Sequence, residues 1–196
     1  RLDWPALSAF FACGFFPADR TFFDDVRVLR PASHLVFSDS GELLSEERYW
    51  DWRHTPSRTR SYDETVAEFA ATFHEVLDDE TMSGRIAVPI SGGLDSRSTF
   101  AALTRAGSPA RERLWCYSYG YSEDSIETRI ARRVAEARGV PIETHSVGPY
   151  LFGRLPAVLG CIEGFQDLTQ ARQAVMAERL AERSDAVIAA HWGDVW

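Results

Sequence analysis

Apolar and polar residues alternate along the last two thirds of the chain in a pattern that predicts strands and helices in turn. Short apolar, β-branched runs at residues 85–90, 114–119, 142–147 and 186–190 are typical of buried strands. Stretches with helical spacing separate them, the last at residues 169–183. Strands that alternate with helices favour a parallel sheet with right-handed crossovers. We therefore predict an α/β fold with a Rossmann-like parallel sheet.

Two of the helices have clear boundaries in the sequence. Ser61 and Glu64 form an S-x-x-E capping box, which is typical of a helix N-terminus. A second helix is predicted over residues 125–138; it closes at Gly139, and Pro141 prevents its continuation. The apolar positions expected to face the core are Val66, Phe69, Ala70, Phe73, Val76 and Leu77 in the first helix and Ile126, Ile130, Val134 and Ala137 in the second.

The first part of the chain has a different pattern. Asp3 is placed to cap a short helix near the N-terminus. Short β-like runs follow, one of them at residues 27–30, and the polar, proline-containing stretch 54–60 is typical of a linker. We therefore expect two parts: a small β-rich N-terminal segment over residues 1–57 and the α/β domain over residues 58–196.

A glycine turn joins the first strand of the α/β domain to the next helix, which is expected to end at Gly107. The turn and the helix start read S-G-G-L-D-S. Backbone N–H groups of such a turn converge where the helix dipole favours an anion, and the carboxylate of Asp95 could hold Mg²⁺ on that anion. The turn therefore predicts a polyphosphate site. The residues assigned to nucleotide binding here are Ser91, Gly92, Gly93, Leu94, Asp95 and Ser96.

This turn is not a Walker A loop, because that motif requires a lysine. The chain contains no lysine, and all 21 of its basic residues are arginine. An ordinary strand–glycine–helix turn is the simpler alternative. The pattern S-G-G-x-D-S resembles the pyrophosphate loop (PP-loop) of the N-type ATP pyrophosphatases, whose members cleave ATP between the α- and β-phosphates and adenylate an oxygen.

The end of the chain supplies a second candidate carboxylate. In a doubly wound sheet, ligands lie beyond the carboxyl ends of the strands, and both Asp95 and Asp194 follow such ends. A turn aspartate after glycine is the alternative for Asp194. The ending resembles the second signature of asparagine synthetases: Asp194 matches its aspartate, His191 its glutamate, and Ala190 and Gly193 its small residues. A valine replaces the second acid.

The middle of the domain resembles the same family. The second strand, Gly120 and the following helix match a region whose backbone lines the adenine pocket. The resemblance places Tyr119 and Gly120 near the base, with Val88 and Pro89 on the matching side. Since proline has no N–H, only the Pro89 carbonyl could contact adenine.

Other charged residues near these motifs have separate interpretations. Asp124 and Glu127 are acids in the first turn of a helix, where the helix dipole favours them. The arginines of that helix lie on its polar side, which is typical of a solvated face. Arg97 differs, because it stands one residue past the loop and could bind a phosphate or a carboxylate through two nitrogens.

The resemblance to asparagine synthetase-like proteins covers residues 21–196 and implies an ATP-dependent ligase. ATP and a carboxylate would give an acyl-adenylate and pyrophosphate, and an amine or ammonia would then capture the acyl group. The implied cofactors are ATP and Mg²⁺, and the implied partners are a small carboxylate substrate and the amine donor. The implied catalytic residues are Asp95, Asp194, Arg97 and His191, with Asp95 and Asp194 as the metal ligands.

Two parts of the family pattern are missing from this sequence: the glutaminase half with its N-terminal cysteine and the helical region that follows the second signature. We therefore expect a separate glutaminase or a flanking domain to complete a glutamine-dependent enzyme. Two alternatives are a degenerate nucleotide-binding module without catalysis and a tRNA-modifying PP-loop enzyme.

Composition narrows the partners. The net charge of −8 argues against a nucleic-acid or anionic membrane surface, and no apolar run reaches the length of a membrane span. The three cysteines have no metal-ligand spacing, so reduced thiols and a cytoplasmic location are expected.

Overall fold

The computed structural model describes residues 1–56, 59–122, 124–162 and 168–190. The described residues fall into two compact units: Arg1–Arg58 with Leu155–Ala171, and Thr59–Arg154 with Arg172–Trp196. The boundary expected from the sequence at residues 57 and 58 stays a prediction.

The first unit begins with a capped helix, α1 (Trp4–Cys13). The Asp3 side chain accepts a hydrogen bond of 3.0 Å from the Ala6 N–H, and Arg20 forms an ion pair of 2.5 Å with the same carboxylate. The pKa of Asp3 is lowered by these contacts, first by the hydrogen bond from Arg20. The buried Asp3 side chain therefore caps the N-terminus of α1.

A two-stranded antiparallel hairpin follows, formed by β1 (Ser33–Phe37) and β2 (Leu43–Arg48). It confirms the small β-rich N-terminal segment. The strand-like run predicted at residues 27–30 is wrong: it lies in a loop, where the Val28 N–H donates to the Asp19 carbonyl instead of to a ladder. A β-branched run becomes a strand only where another strand is available to pair with it.

The second unit is built on a four-stranded parallel sheet in the order β5-β4-β3-β6. Its strands are β3 (Ile86–Pro89), β4 (Leu114–Gly120), β5 (Ile142–Ser146) and β6 (Ala186–Val187). All three neighbouring pairs run parallel. The predicted Rossmann-like sheet is therefore confirmed, although its last strand is shorter than the apolar run that predicted it.

Helices and short 3₁₀ segments connect the strands. Their bounds are α2 (Tyr62–Glu80), α3 (Leu94–Leu103), α4 (Ile126–Arg138), α5 (Leu151–Ile162) and α6 (Ala177–Arg183), with 3₁₀ segments at Arg111–Arg113 and Leu168–Met176. Within the described part of the chain, no helix is long and apolar enough to cross a membrane.

Alternate residues of β4 enter two separate cores, one on each face of the sheet. Cys116 packs with apolar residues from α2, α3 and α4. Trp115 and Tyr117 point to the opposite face, where they contact Met176. The central strands are covered on both sides, which is why they read as nearly continuous apolar runs in the sequence.

Several helix predictions need correction. The buried face of α4 consists of Thr128, Ala131 and Ala135, whereas Ile126 is 67% exposed. Small residues let this helix approach β4 closely, so they displace the larger apolar side chains from the contact. In α2 half of the predicted apolar face is in contact with the core or partly covered: Leu77 is buried and Phe73 packs against the same core, whereas Val66, Phe69 and Val76 are exposed.

Two helix ends also differ from expectation. The helix α3 ends at Leu103 with Thr104 as its C-cap, and Gly107 lies in the turn beyond it. The single helix predicted over residues 169–183 is wrong, because the backbone leaves helical geometry at Ala171 and a 3₁₀ segment precedes α6.

Candidate functional site

The S-G-G-L-D-S turn lies at the carboxyl end of β3, where the chain enters α3. The Ile90 N–H still donates to the Tyr117 carbonyl (2.8 Å), so the turn starts directly from the sheet. Gly93 is the N-cap of α3 and offers no side chain to the helix N-terminus. The N–H groups of Leu94 and Asp95 donate to no other described residue. These two free N–H groups form the positive end of the α3 dipole, which lies at the turn.

The hydroxyls of Ser91 and Ser96 stabilise the loop by accepting hydrogen bonds from its backbone. The Ser91 N–H donates to the Ser96 hydroxyl at 3.1 Å, and the two hydroxyl oxygens are 2.9 Å apart. The Gly93 N–H donates to the Ser91 hydroxyl at 3.1 Å. Two of the N–H groups that the sequence assigned to an anion are therefore held by the loop's own side chains.

The third loop N–H is held by a residue from a different helix. The Gly92 N–H donates to Oε2 of Glu127 at 2.5 Å, across 35 residues of sequence. Glu127 does lie in the first turn of α4, as the sequence indicated, but its carboxylate is directed to the loop and not only to its own helix. The earlier interpretation of Glu127 is therefore corrected: it is part of the site.

Two glycines at the site allow close packing that a Cβ atom would prevent. A Cβ at Gly92 would stand 3.1 Å from the Ile130 side chain and 3.2 Å from Glu127 Oε2. A Cβ at Gly120 would stand 2.2 Å from the Ser125 hydroxyl and 2.9 Å from its Cβ. Since Ser125 caps α4 by accepting from the Thr128 N–H, Gly120 sets where α4 begins.

A cavity of about 280 Å³ opens beside the loop at the carboxyl edge of the sheet. Five predicted nucleotide-site residues line it, together with several that sequence reasoning missed. The predicted residues in its wall are Pro89, Ser91, Ser96, Tyr119 and Ala190, and the additional residues are Ile90, Glu127, Arg172, Gln173 and Ala189.

Arg172 and Gln173 come from the 3₁₀ segment, far along the chain from the loop. Gln173, which lines the cavity, donates to the Tyr117 hydroxyl at 3.1 Å. Burial raises the pKa of Tyr119, while the positive charge of Arg172 opposes that rise. Arg172 therefore adds a positive charge to the lining of the cavity. No local signal in the sequence distinguishes Arg172 from the other arginines.

The remaining predicted residues have different positions. Arg97 lies in the first turns of α3, and its guanidinium donates to the Gly93 carbonyl at 3.2 Å. The Val88 side chain is fully buried in the core, so only its backbone faces the edge of the sheet. The Gly120 carbonyl accepts from the Val147 N–H at 2.7 Å. The predicted residues His191, Gly193 and Asp194 lie outside the described residues.

Asp95 supplies the carboxylate of the turn, although it is not among the residues that line the cavity. It is partly exposed in the first turn of α3, and among the described residues its side chain makes no hydrogen bond or ion pair. Among the described residues, no group of three or more His, Cys, Asp or Glu side chains is arranged to hold a metal ion. Mg²⁺ on a nucleotide commonly uses only one or two protein carboxylates, and the phosphates supply other ligands.

A second, more apolar cavity of about 440 Å³ lies past the ends of β4 and β5. Tyr121 and residues 147–153 line it. It does not include any of the residues predicted for the nucleotide site.

These features define an α/β domain of the PP-loop class, with its glycine turn at the carboxyl edge of a parallel sheet. The family model that matches the chain, asparagine synthase, covers residues 56–194. The chain therefore belongs to the asparagine synthase family. No curated protein matches the sequence.

Two solved structures are similar in part. One is an NH₃-dependent NAD synthetase from Campylobacter jejuni in complex with a nitrate ion, with 10% sequence identity and a TM-score of 0.45, covering 63% of this chain and 56% of that protein. The other is a glutamine-dependent NAD⁺ synthetase from Acinetobacter baumannii in complex with ADP, with 18% identity and a TM-score of 0.45, covering 78% of this chain. The present chain spans 29% of that second protein.

Proposed function

We propose that this chain carries the ATP site of an AMP-forming amide ligase. ATP is cleaved between its α- and β-phosphates, a carboxylate is adenylated, and an amine or ammonia captures the acyl group. The observation that supports this most is the S-G-G-L-D-S turn at the mouth of the cavity, in a chain that belongs to the asparagine synthase family.

The free N–H groups of Leu94 and Asp95 supply the first contacts for the phosphates. Together with the dipole of α3, they favour negative charge at the loop, and Arg172 adds a cation to the lining of the same cavity. The Ser91 and Ser96 hydroxyls rotate readily, so each can exchange its partner within the loop for a phosphate oxygen. The adenine would lie towards Tyr119, beyond the end of β4.

The chemistry consists of two successive substitution steps on the substrates. A carboxylate oxygen of the substrate attacks the α-phosphorus, the bond to the bridging oxygen breaks, and pyrophosphate leaves with the electron pair. The amine nitrogen then attacks the acyl carbon, AMP leaves, and the nitrogen loses a proton. Donors fixed around the departing pyrophosphate lower the barrier because they need no rearrangement as charge develops.

Asp95 and Asp194 are the residues that would hold Mg²⁺. When bound, this ion neutralises negative charge on the phosphates of the leaving group. Asp95 suits the role because its carboxylate is not committed to another described residue. Arg97 and His191 stay in the proposal as groups for the acceptor side of the reaction.

Exchange of labelled pyrophosphate into ATP, measured with a panel of carboxylates that includes aspartate, tests the proposal. We expect exchange with at least one carboxylate in the presence of Mg²⁺, with AMP as the nucleotide product once ammonia is added. Asp95→Asn should reduce the exchange rate by about 100-fold, as expected for loss of a charge-stabilising group. Asp79→Asn, on the exposed side of α2, is the matched control and should leave it unchanged.

Two results would count against an adenylating enzyme. Formation of ADP and phosphate would indicate transfer of the γ-phosphate and not of AMP. Stabilisation by Mg-ATP in a thermal shift without exchange for any carboxylate would instead support the degenerate nucleotide-binding module.

A further inference from the structure

The carboxylate of Glu127 holds the Gly92 N–H, a donor of the turn that the sequence assigns to nucleotide binding. It accepts the Gly92 N–H at 2.5 Å and lines the same cavity as Ser91 and Ser96. The serine hydroxyls that hold the other two loop N–H groups are neutral and local. Glu127 is therefore the member of this set that brings a negative charge to the loop.

The backbone of Glu127 is fixed in this position by several contacts. Ser125 caps α4 and packs against Gly120, where a Cβ would stand only 2.2 Å from its hydroxyl. One turn further on, Ile130 packs against Gly92. The helix cannot withdraw from the loop without losing these contacts. Rotation of the Glu127 side chain would free the Gly92 N–H and leave these contacts in place.

A polyphosphate bound at the loop meets this carboxylate at short range. Two like charges a few ångströms apart near a protein surface repel each other appreciably, although solvent and salt reduce the effect for an exposed group such as Glu127. Arg172, which lines the same cavity, attracts the phosphates whether or not a metal is bound. A divalent cation on the phosphates removes most of the repulsion, because it lowers the charge that faces Glu127.

We propose that Glu127 is a specificity-determining residue of the phosphate loop: it competes with phosphate for the Gly92 N–H and so disfavours metal-free polyphosphate relative to the magnesium complex. The inference rests on the proposed function in that it takes the loop as the ATP phosphate site. It adds that the loop selects the charge state of its nucleotide through a carboxylate from α4.

Dissociation constants for ATP, measured by calorimetry in EDTA and again in excess Mg²⁺, test this inference. Glu127→Gln keeps the size and the hydrogen-bond acceptor of the side chain but removes its charge. We expect the variant to bind metal-free ATP and inorganic pyrophosphate about 10-fold more tightly than the wild type. Its affinity for Mg-ATP should change by less than about 3-fold.

Glu136→Gln is the matched control. It makes the same substitution on the same helix, at an exposed position two turns beyond Glu127. Both of its dissociation constants should equal those of the wild type. If the lower negative charge of the whole protein were the cause, the dissociation constants of both variants would change by the same factor.

The Gly92 amide gives a second measurement that does not depend on affinity. In protein labelled with ¹⁵N-glycine, which has 13 glycines, the Gly92 resonance should shift on Glu127→Gln substitution. Addition of Mg-ATP to the wild type should shift it again, as phosphate replaces the carboxylate. An unchanged resonance in both experiments would contradict the contact and its displacement.

The inference is overturned if Glu127→Gln binds metal-free ATP no more tightly than the wild type, or weakens both forms equally. Either result would make Glu127 a structural brace of the loop. Pyrophosphate exchange could fail while Glu127→Gln still tightens binding of metal-free ATP but not of Mg-ATP. That result would overturn the ligase proposal and leave the role of Glu127 standing. Absence of nucleotide binding in every variant and condition would overturn both.

Discussion

At the scale of single residues, two glycines determine how closely α4 approaches the nucleotide loop. Gly92 leaves room for Glu127 and Ile130, and Gly120 leaves room for the cap residue Ser125. Neither glycine has the positive φ that would require glycine for the backbone itself. Their role is close approach, which places Glu127 at the Gly92 N–H.

Gly120→Ala tests this role. The new Cβ would overlap the Ser125 side chain, which is short and cannot move away, so the cap of α4 must shift. We expect a loss of about 2 kcal/mol in the free energy of unfolding, within the usual range for an overpacked site. Urea denaturation followed by circular dichroism measures it, and the slope with denaturant should stay constant.

Gly148→Ala is the control for that substitution. No heavy atom outside the neighbouring residues lies within 4 Å of a Cβ at Gly148, and its φ is not in the left-handed region. Its stability should be unchanged or raised by up to about 1 kcal/mol, because alanine restricts the unfolded chain. Equal stability of the two variants would mean that Gly120 does not determine the position of α4.

At the scale of elements, a pair of contacts between Arg85 and Asp185 joins the starts of β3 and β6. The Asp185 carboxylate accepts the Arg85 N–H at 2.8 Å and forms an ion pair of 3.0 Å with the Arg85 guanidinium. These contacts matter because β6 has only two residues paired to β3. The hydrogen bond from the Arg85 side chain is the main reason that the pKa of Asp185 falls from 3.8 to about 2.

This lowered pKa predicts how stability depends on pH. Between pH 3.8 and about pH 2 the unfolded state binds more protons than the native state, so stability rises with pH there. The contribution of Asp185 is complete above pH 3.8 and is lost as the pH falls through about 2. The difference in unfolding free energy between wild type and Asp185→Asn should stay constant from about pH 7 to 5 and narrow below about 4.

Urea titrations of the two proteins at successive pH values provide this measurement. Asp79→Asn, on the exposed side of α2, controls for the loss of one negative charge. If the difference between wild type and Asp185→Asn instead widened towards low pH, the carboxylate would not be stabilised by Arg85 in the native state.

At the scale of the whole molecule, the three thiols report on the integrity of the fold. Cys116 is buried in the centre of β4, and burial raises its pKa to about 12. Cys13 and Cys161 are exposed. Since the thiolate is the reactive form, the buried thiol is protected both by its position and by its pKa.

Titration with a thiol reagent at about pH 8 should therefore modify two thiols of the native protein quickly. The third should react only as fast as the protein unfolds, and denaturant should bring the total to three. Cys116→Ala should remove the slow phase and leave the fast one. Rapid reaction of all three thiols in the native protein would contradict the burial of β4.

Much of the fold could be predicted from the sequence because its signals are local. The capping box at Ser61 and the helix end at Gly139 depend on hydrogen bonds between residues a few positions apart. The strand–turn–helix at residues 91–96 is equally local. Periodicity predicted the buried face of a helix less reliably. In α4 close packing selected small residues, and in α2 half of the predicted apolar positions are exposed.

By itself, the sequence determined the parallel α/β architecture, the glycine turn and the asparagine synthase resemblance, because these depend on residue order. Only the tertiary structure decided which side chains meet at that turn. Glu127 reaches Gly92 across 35 residues, and Arg172 reaches the same cavity from beyond α5. Such contacts depend on how closely α4 and the 3₁₀ segment pack on the sheet, and packing distance leaves no periodic trace in a sequence.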